Sequence, residues 1–122
     1  MIKEVKVIRK VKDQRSEMVE SCCGGKGVIE LHHMLEKGDF KGKCWLFAKG
    51  IMPPGTTIGL HPHIEDEEIY YILKGKGRVT DDDTVEEVEP GDAIVTGAGS
   101  KHALENIGSD DLEFIGVVYY IR

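Results

Sequence analysis

Residues 55–75 read GTTIGLHPHIEDEEIYYILKG, and this stretch decides the fold. His61 and His63 are two residues apart in a segment with strand character, so we expect both side chains to project from the same face. The following apolar run, residues 69–73, is rich in Ile and Tyr and predicts a second strand. Glycines at both ends are typical of turns, where the backbone often needs a positive φ.

The same pattern continues on both sides of this stretch. Short apolar runs alternate with clusters of glycine, proline and aspartate, as is typical of many short antiparallel strands. The runs are residues 44–49, 93–96, 103–107 and 112–121, with shorter segments around Val79, Val85 and Val88. The pattern predicts an all-β fold, either a sandwich or a barrel.

The first 42 residues are less regular. Val5, Val7 and Val11 alternate with charged residues, which predicts an edge strand whose lysines prevent pairing with other chains. Residues 31–37 are the one segment with helical character, and Gly38 would end it after about two turns. We interpret this segment as a connector, and we expect its two histidines, His32 and His33, to lie outside any metal site because neighbours on a helix point about 100° apart.

Composition excludes several classes of protein. The chain has 122 residues, a net charge of −6 and a pI near 5.3, which argues against a surface that neutralises nucleic-acid phosphates. Its apolar runs are much shorter than the ~20 residues that span a bilayer, and the N-terminus lacks the apolar core of a signal peptide. An odd number of cysteines, three, argues against a disulfide scaffold. We therefore expect one soluble domain in the cytoplasm, with no nucleic-acid or membrane partner.

A metal site is the chemistry that the residues favour most. If the strands holding His63 and Glu68 form a hairpin, the Glu68 carboxylate returns to the point that both imidazoles reach. His102 follows a glycine-rich turn and is a fourth candidate ligand. Three imidazoles and one carboxylate suit a divalent ion such as Mn, Fe, Ni, Co or Zn, with positions left for water or substrate.

The spacing of the surrounding residues resembles the cupin superfamily. Gly55, five residues, His61, one residue, His63, four residues, Glu68, six residues and Gly75 match the first cupin motif at every position. The second motif is matched by Gly91, five residues, Gly97, one residue, Gly99, two residues, His102, three residues and Asn106. Gly97 is the one departure, because the family usually has proline there.

This resemblance implies a double-stranded β-helix, or jelly-roll barrel, over the whole chain as a single cupin domain. Residues 1–42 would be an extension with the edge strand and connector, and residues 43–121 the barrel core. It also implies that His61, His63, Glu68 and His102 bind one divalent transition metal. Many small cupins are homodimers, and the apolar strands near both chain ends favour the same state here.

Three functions remain open at this point. The first is an enzyme acting on a small carboxylate or hydroxylated metabolite at the metal, of decarboxylase, dioxygenase or isomerase type. The second is a sensor or carrier that binds a small anion without converting it, and the third is a structural cupin without metal. Tyr70 shares the ligand face by alternation and is the candidate catalytic residue, although a pKa near 10 suits a tyrosine to hydrogen bonding more than to base catalysis.

None of the three cysteines belongs to a zinc-binding or redox motif. Cys22 and Cys23 are adjacent and lack the two-residue gap of a zinc or redox C-x-x-C pair, so we interpret them as features of a glycine-rich loop. Cys44 begins an apolar run and is expected to line the cavity or to pack in the core as a small hydrophobic residue.

Overall fold

Two antiparallel sheets make up the fold in the computed structural model, which describes residues 7–122. This confirms the predicted all-β jelly roll. The described strands are β1 (Arg15–Glu20), β2 (Val28–Leu35), β3 (Cys44–Met52), β4 (Thr57–Pro62), β5 (Asp66–Lys74), β6 (Gly77–Asp81), β7 (Thr84–Val88), β8 (Ala93–Thr96), β9 (Lys101–Asn106) and β10 (Leu112–Tyr120). One sheet has six strands in the order β1-β2-β3-β10-β5-β8, and the other has four in the order β4-β9-β6-β7.

The core lies between the inner faces of the two sheets. Strand alternation selects these faces, as β5 shows: Tyr70 is 2% exposed, whereas Tyr71 next to it is 44% exposed. The predicted alternation along β5 is therefore confirmed. The buried apolar cluster contains Ile29, Met52, Ile58, Tyr70, Ile72, Val79, Val88, Leu104, Leu112 and Phe114.

The predicted helical connector at residues 31–37 is wrong, because most of it belongs to β2. Ile29, Leu31, His33 and Leu35 follow each other at a period of two, and β2 has backbone partners on both sides, β1 and β3. Pairing on two sides outweighs the weak tendency of a seven-residue segment to form an isolated helix. Within residues 7–122, the helical segments are two three-residue 3-10 turns, and no helix is long and apolar enough to cross a membrane.

The predicted N-terminal edge strand is displaced along the chain. The edge strand of the six-stranded sheet is β1, which starts at Arg15. Val5 lies outside the described residues, Val7 is not in a strand, and Val11 opens a 3-10 turn. Arg9 is a buried ion-pair partner of Asp39, at 2.7 Å, and not a solvated residue on a strand edge.

Two glycines hold the turn at Cys22–Gly24 against β4. A Cβ atom on Gly59 would lie 2.2 Å from the carbonyl oxygen of Cys23, and one on Gly25 would lie 2.1 Å from the carbonyl oxygen of Thr57. Both clashes are with backbone, so only glycine permits this close approach. Hydrogen bonds between Lys26 and Thr57 fasten the two segments, including Thr57 N–H to the Lys26 carbonyl at 2.9 Å. The turn is thereby placed beside the strand that carries His61.

We predict that Gly59→Ala destabilises the protein by about 1–3 kcal/mol, because the new methyl group meets rigid backbone. Gly42→Ala is the matched control, since nothing lies within 4 Å of a Cβ at that position, and its effect should stay below about 1 kcal/mol. Urea unfolding monitored by circular dichroism measures both. Equal stability of the two variants would show that the turn does not pack on β4 as described.

Candidate metal centre

Four side chains from three strands and one loop converge between the two sheets. His61 on β4 lies directly opposite His102 on β9 in the antiparallel ladder. His63 follows the end of β4, and Glu68 comes from β5 in the other sheet. One ligand atom from each of the four residues lies within 4.8 Å of the others, so the group could hold a metal ion. The structure therefore brings together all four residues that the sequence predicted.

The route by which Glu68 reaches this point differs from the prediction. β4 and β5 do not form a hairpin, because β4 pairs with β9 whereas β5 pairs with β10 and β8. The loop after His63 crosses from one sheet to the other, and Glu68 approaches the histidines across the space between the sheets. A site of this kind forms only when both sheets are assembled.

Hydrogen bonds on the far side of two imidazoles set their tautomers. His61 Nδ1 lies 2.7 Å from the Gly59 carbonyl oxygen, which can only accept, so Nδ1–H donates and Nε2 is the nitrogen that faces the cluster. His63 Nδ1 lies 2.8 Å from the Asp66 carboxylate, with the same result. Histidine ligands of metals are commonly oriented by such partners. Asp66 is a residue of the candidate site that the sequence did not predict, and its position three residues after His63 is the one local signal for it.

All three Nε2 atoms face one carboxylate oxygen. Glu68 Oε1 lies 3.1 Å from His63 Nε2, 3.1 Å from His102 Nε2 and 3.8 Å from His61 Nε2. The Nε2 atoms of His61 and His102 are only 2.9 Å apart. Two lone pairs this close require a proton or a cation between them. Nitrogen and carboxylate ligands of this kind fit a divalent transition metal.

The Glu68 carboxylate and the His63 imidazole each stabilise the charged form of the other. Burial opposes ionisation of Glu68, but the contacts of 3.1 Å with His102 and His63, together with the nearby His61 ring, outweigh it and hold the pKa of this carboxyl well below its usual range. The hydrogen bond with Glu68 raises the pKa of His63, against the opposing effect of burial. The site therefore presents a fixed negative charge that favours positive charge on or among the imidazoles.

Tyr70 lies beside this cluster, as its alternation with Glu68 predicted. Its ring stacks on His102 with centroids 4.9 Å apart and an angle of 8° between the planes. Burial, together with the Glu68 carboxylate, raises the pKa of Tyr70 well above its ordinary value of 10. Its hydroxyl is therefore protonated at neutral pH and suits hydrogen-bond donation, not base catalysis.

A cavity of about 190 Å³ adjoins the cluster. His61, His63 and Glu68 line it together with Tyr70, and the rest of its wall is almost entirely apolar. Neither lysine nor arginine is among the described residues that line it.

Cys22 and Cys23 also line this cavity, which corrects their interpretation as loop features alone. Their Sγ atoms are 4.0 Å apart. Burial first, and then the neighbouring Cys23, raises the pKa of the Cys22 thiol to about 12, so it is a neutral group in the wall and not a thiolate ligand. The sequence carried no signal for this role, because the position of the turn depends on the packing of Gly25 and Gly59.

The acidic run at residues 65–68, which leads into β5, forms specific contacts. Asp66 accepts from His63, Glu68 is buried in the cluster, and Glu67 accepts a hydrogen bond of 2.7 Å from the Tyr119 hydroxyl. Glu65 is exposed and pairs with Arg122.

Gly97, the departure from the second motif, has a local explanation. A Cβ atom there would lie 2.3 Å from Cγ of Glu67, so the Glu67 side chain occupies the space that a proline ring would need. Asn106, the last residue of the second motif, has a structural role: its side-chain amide donates to the carbonyls of Met52 and Asp110 and accepts from Gly108 N–H.

The two other described histidines, His32 and His33, and Cys44 lie away from the centre. His33 pairs with Glu17 at 2.8 Å and His32 with Glu30 at 3.3 Å, in agreement with their exclusion from the site. Cys44 is half-buried, its Sγ lies 3.4 Å from the Leu46 carbonyl, and it does not line the cavity.

Comparison with known proteins agrees with the motifs and the fold. A family model described as a cupin domain matches residues 49–118. The chain belongs to the cupin family. An oxalate-binding protein of Thermotoga maritima is 41% identical over 102 residues, covering 84% of each chain. An uncharacterised protein of Methanocaldococcus jannaschii is 37% identical over 89 residues, covering 73% of this chain and 71% of that one.

Solved structures extend this result. The crystal structure of a predicted oxalate decarboxylase from Thermotoga maritima superposes with a TM-score of 0.88 at 38% identity, covering 95% of this chain and all of that one. KdgF from a Halomonas species has a TM-score of 0.76 at 16% identity, covering 97% and 96%, and supports the cupin fold alone.

We predict that His61→Ala lowers metal affinity by more than about 100-fold, because it removes a ligand. Asp66→Asn should lower the affinity by about 10–100-fold, because it loosens the orientation of His63. Asp83→Asn, the same change on an exposed aspartate, is the matched control and should bind as the unchanged protein does. Titration with Mn²⁺ or Co²⁺ after chelation measures all three. Equal affinity of His61→Ala and the unchanged protein would contradict the site.

Proposed function

We propose that this cupin binds a small carboxylate anion, of the oxalate type, at a divalent transition metal held by His61, His63, Glu68 and His102. The observation that carries the proposal is the junction of the four-residue cluster with the cavity, which gives a ligand direct access to the ion. The bound metal supplies positive charge and open coordination positions for carboxylate oxygens.

The charge of the cavity supports a strict dependence on metal. Glu68 is ionised, and the described cavity wall contributes no lysine or arginine to offset a second negative charge. An anion that enters the cavity without a cation would be desolvated next to a carboxylate, which is strongly unfavourable. The metal is then the main source of attraction for the anion.

The relatives support the choice of anion. One homologue is named an oxalate-binding protein, and the structure with the TM-score of 0.88 is described as a predicted oxalate decarboxylase. Oxalate can offer two oxygens to one ion, so both of its carboxylates can lie at the metal and away from the apolar wall.

We predict that oxalate binds to the Mn²⁺-loaded protein in isothermal titration calorimetry and binds at least about 100-fold more weakly to the chelated protein. The physical reason is that neither lysine nor arginine is among the described residues of the cavity wall, so the metal supplies most of the attraction for the anion. The Asp83→Asn variant, loaded with Mn²⁺, serves as a control for the effect of surface charge. Equal affinity for oxalate with and without metal would overturn the proposal.

Catalysis is the second candidate, and Tyr70 is the residue that favours it. Its protonated hydroxyl is buried in the wall of the cavity, where it can donate a hydrogen bond to a substrate oxygen or hold it in place. Conversion of oxalate and one proton to formate and carbon dioxide would release both products on long incubation with the Mn²⁺-loaded protein. Loss of product in Tyr70→Phe with oxalate binding retained would assign Tyr70 to turnover. If the unchanged protein gives no product, only the binding function stands.

The single domain over residues 1–122, the homodimer and the cytoplasmic location stay predictions.

A further inference from the structure

The wall of the cavity that the six-stranded sheet forms extends well beyond the metal centre. It begins at Glu68 on β5, continues across Gly116 and Val118 on β10, and reaches Leu46 and Ala48 on β3. Neighbouring strands are about 4.8 Å apart, so β3 lies roughly 10 Å from β5. Small side chains leave space along this wall, because Gly116 and Ala48 lie directly opposite each other in the ladder.

The size of the cavity supports a ligand larger than oxalate. An engineered cavity of about 150 Å³ lined by Leu, Ile and Phe binds benzene. The cavity of this cupin, about 190 Å³, has the same kind of wall, with Ile29, Leu31, Ala48 and Phe114 among its residues. An apolar group against this wall would be stabilised in proportion to the surface that it removes from water.

The charges of the cavity wall limit which part of a ligand can lie at its β3 end. A second carboxylate at the β3 end would be far from the metal and would have no described lysine or arginine beside it in the cavity. Burial of an unpaired carboxylate is unfavourable, so a ligand that fills the cavity has its negative charge at the metal end only.

We infer that the preferred ligand is a 2-oxo or 2-hydroxy monocarboxylate with an apolar side chain of about three to five carbons. The carboxylate and its neighbouring oxygen lie at the metal, as oxalate would, and the side chain lies over Gly116 and against Ala48. This inference rests on the proposed function and specifies the substrate class of the same site.

Calorimetry with the Mn²⁺-loaded protein tests the inference on a series of 2-oxo acids, from pyruvate through 2-oxobutanoate and 2-oxopentanoate to 2-oxohexanoate. We expect Kd to fall about fourfold for each added methylene. 2-Oxoglutarate, which has a second carboxylate in the position of the side chain, should bind more weakly than 2-oxopentanoate. Equal affinities along the series, or tighter binding of 2-oxoglutarate, would overturn the inference.

A filled cavity provides the second test. Ala48→Leu places a larger side chain on this wall of the cavity and should remove the dependence of Kd on chain length. Ala93→Leu, the same substitution at an exposed position of β8, should retain the dependence. If folded Ala48→Leu still shows a Kd that falls with chain length, the inference is overturned. If that variant does not fold, the series of 2-oxo acids on the unchanged protein decides alone.

Failure of the inference differs from failure of the proposed function. If oxalate binds with metal and the 2-oxo acids show no gradient, the inference is wrong and the proposed function stands. If no acid binds in a metal-dependent manner, both are wrong.

Discussion

The site depends on a single buried carboxylate, Glu68, which faces three imidazoles from the opposite side of the barrel. An ionised group removed from water is tolerated only when positive charge or several hydrogen bonds surround it. The histidines provide the hydrogen bonds, and a divalent cation among the four groups would provide the charge. Because Glu68 belongs to the six-stranded sheet while His61 and His102 belong to the four-stranded sheet, this electrostatic contact also joins the two sheets.

Glycine determines how closely the parts around this contact approach. Gly59 and Gly25 let the cysteine turn lie on the strand that carries His61, and Gly116 leaves space beside Glu68, whose Oε2 would be 3.3 Å from a Cβ there. Gly116 also lines the cavity next to the candidate metal centre. Packing at backbone distance thus positions the candidate ligands and leaves a cavity beside them.

The sequence predicted the ligand set and the strands because both have local signatures. His61, His63 and Glu68 are close along the chain, and the period of two marks β5 and its buried face. Apart from Asp66, which lies three residues after His63, the features that the sequence did not predict depend on long-range packing. β2 is a strand because it has partners on both sides, and Cys22 reaches the cavity through contacts with β4. The hairpin expected for β4 and β5 was wrong for the same reason, since the partner of β4 is β9, about 40 residues later in the chain.

The central claim is that a metal ion lies among His61, His63, Glu68 and His102. The most direct measurement is an anomalous difference map from crystals of the Mn²⁺-loaded protein, recorded near the manganese edge. The account predicts one strong peak at metal–ligand bonding distance from three Nε2 atoms and a Glu68 oxygen. Well-ordered imidazoles with no peak between them, or a peak found only at surface carboxylates, would contradict it.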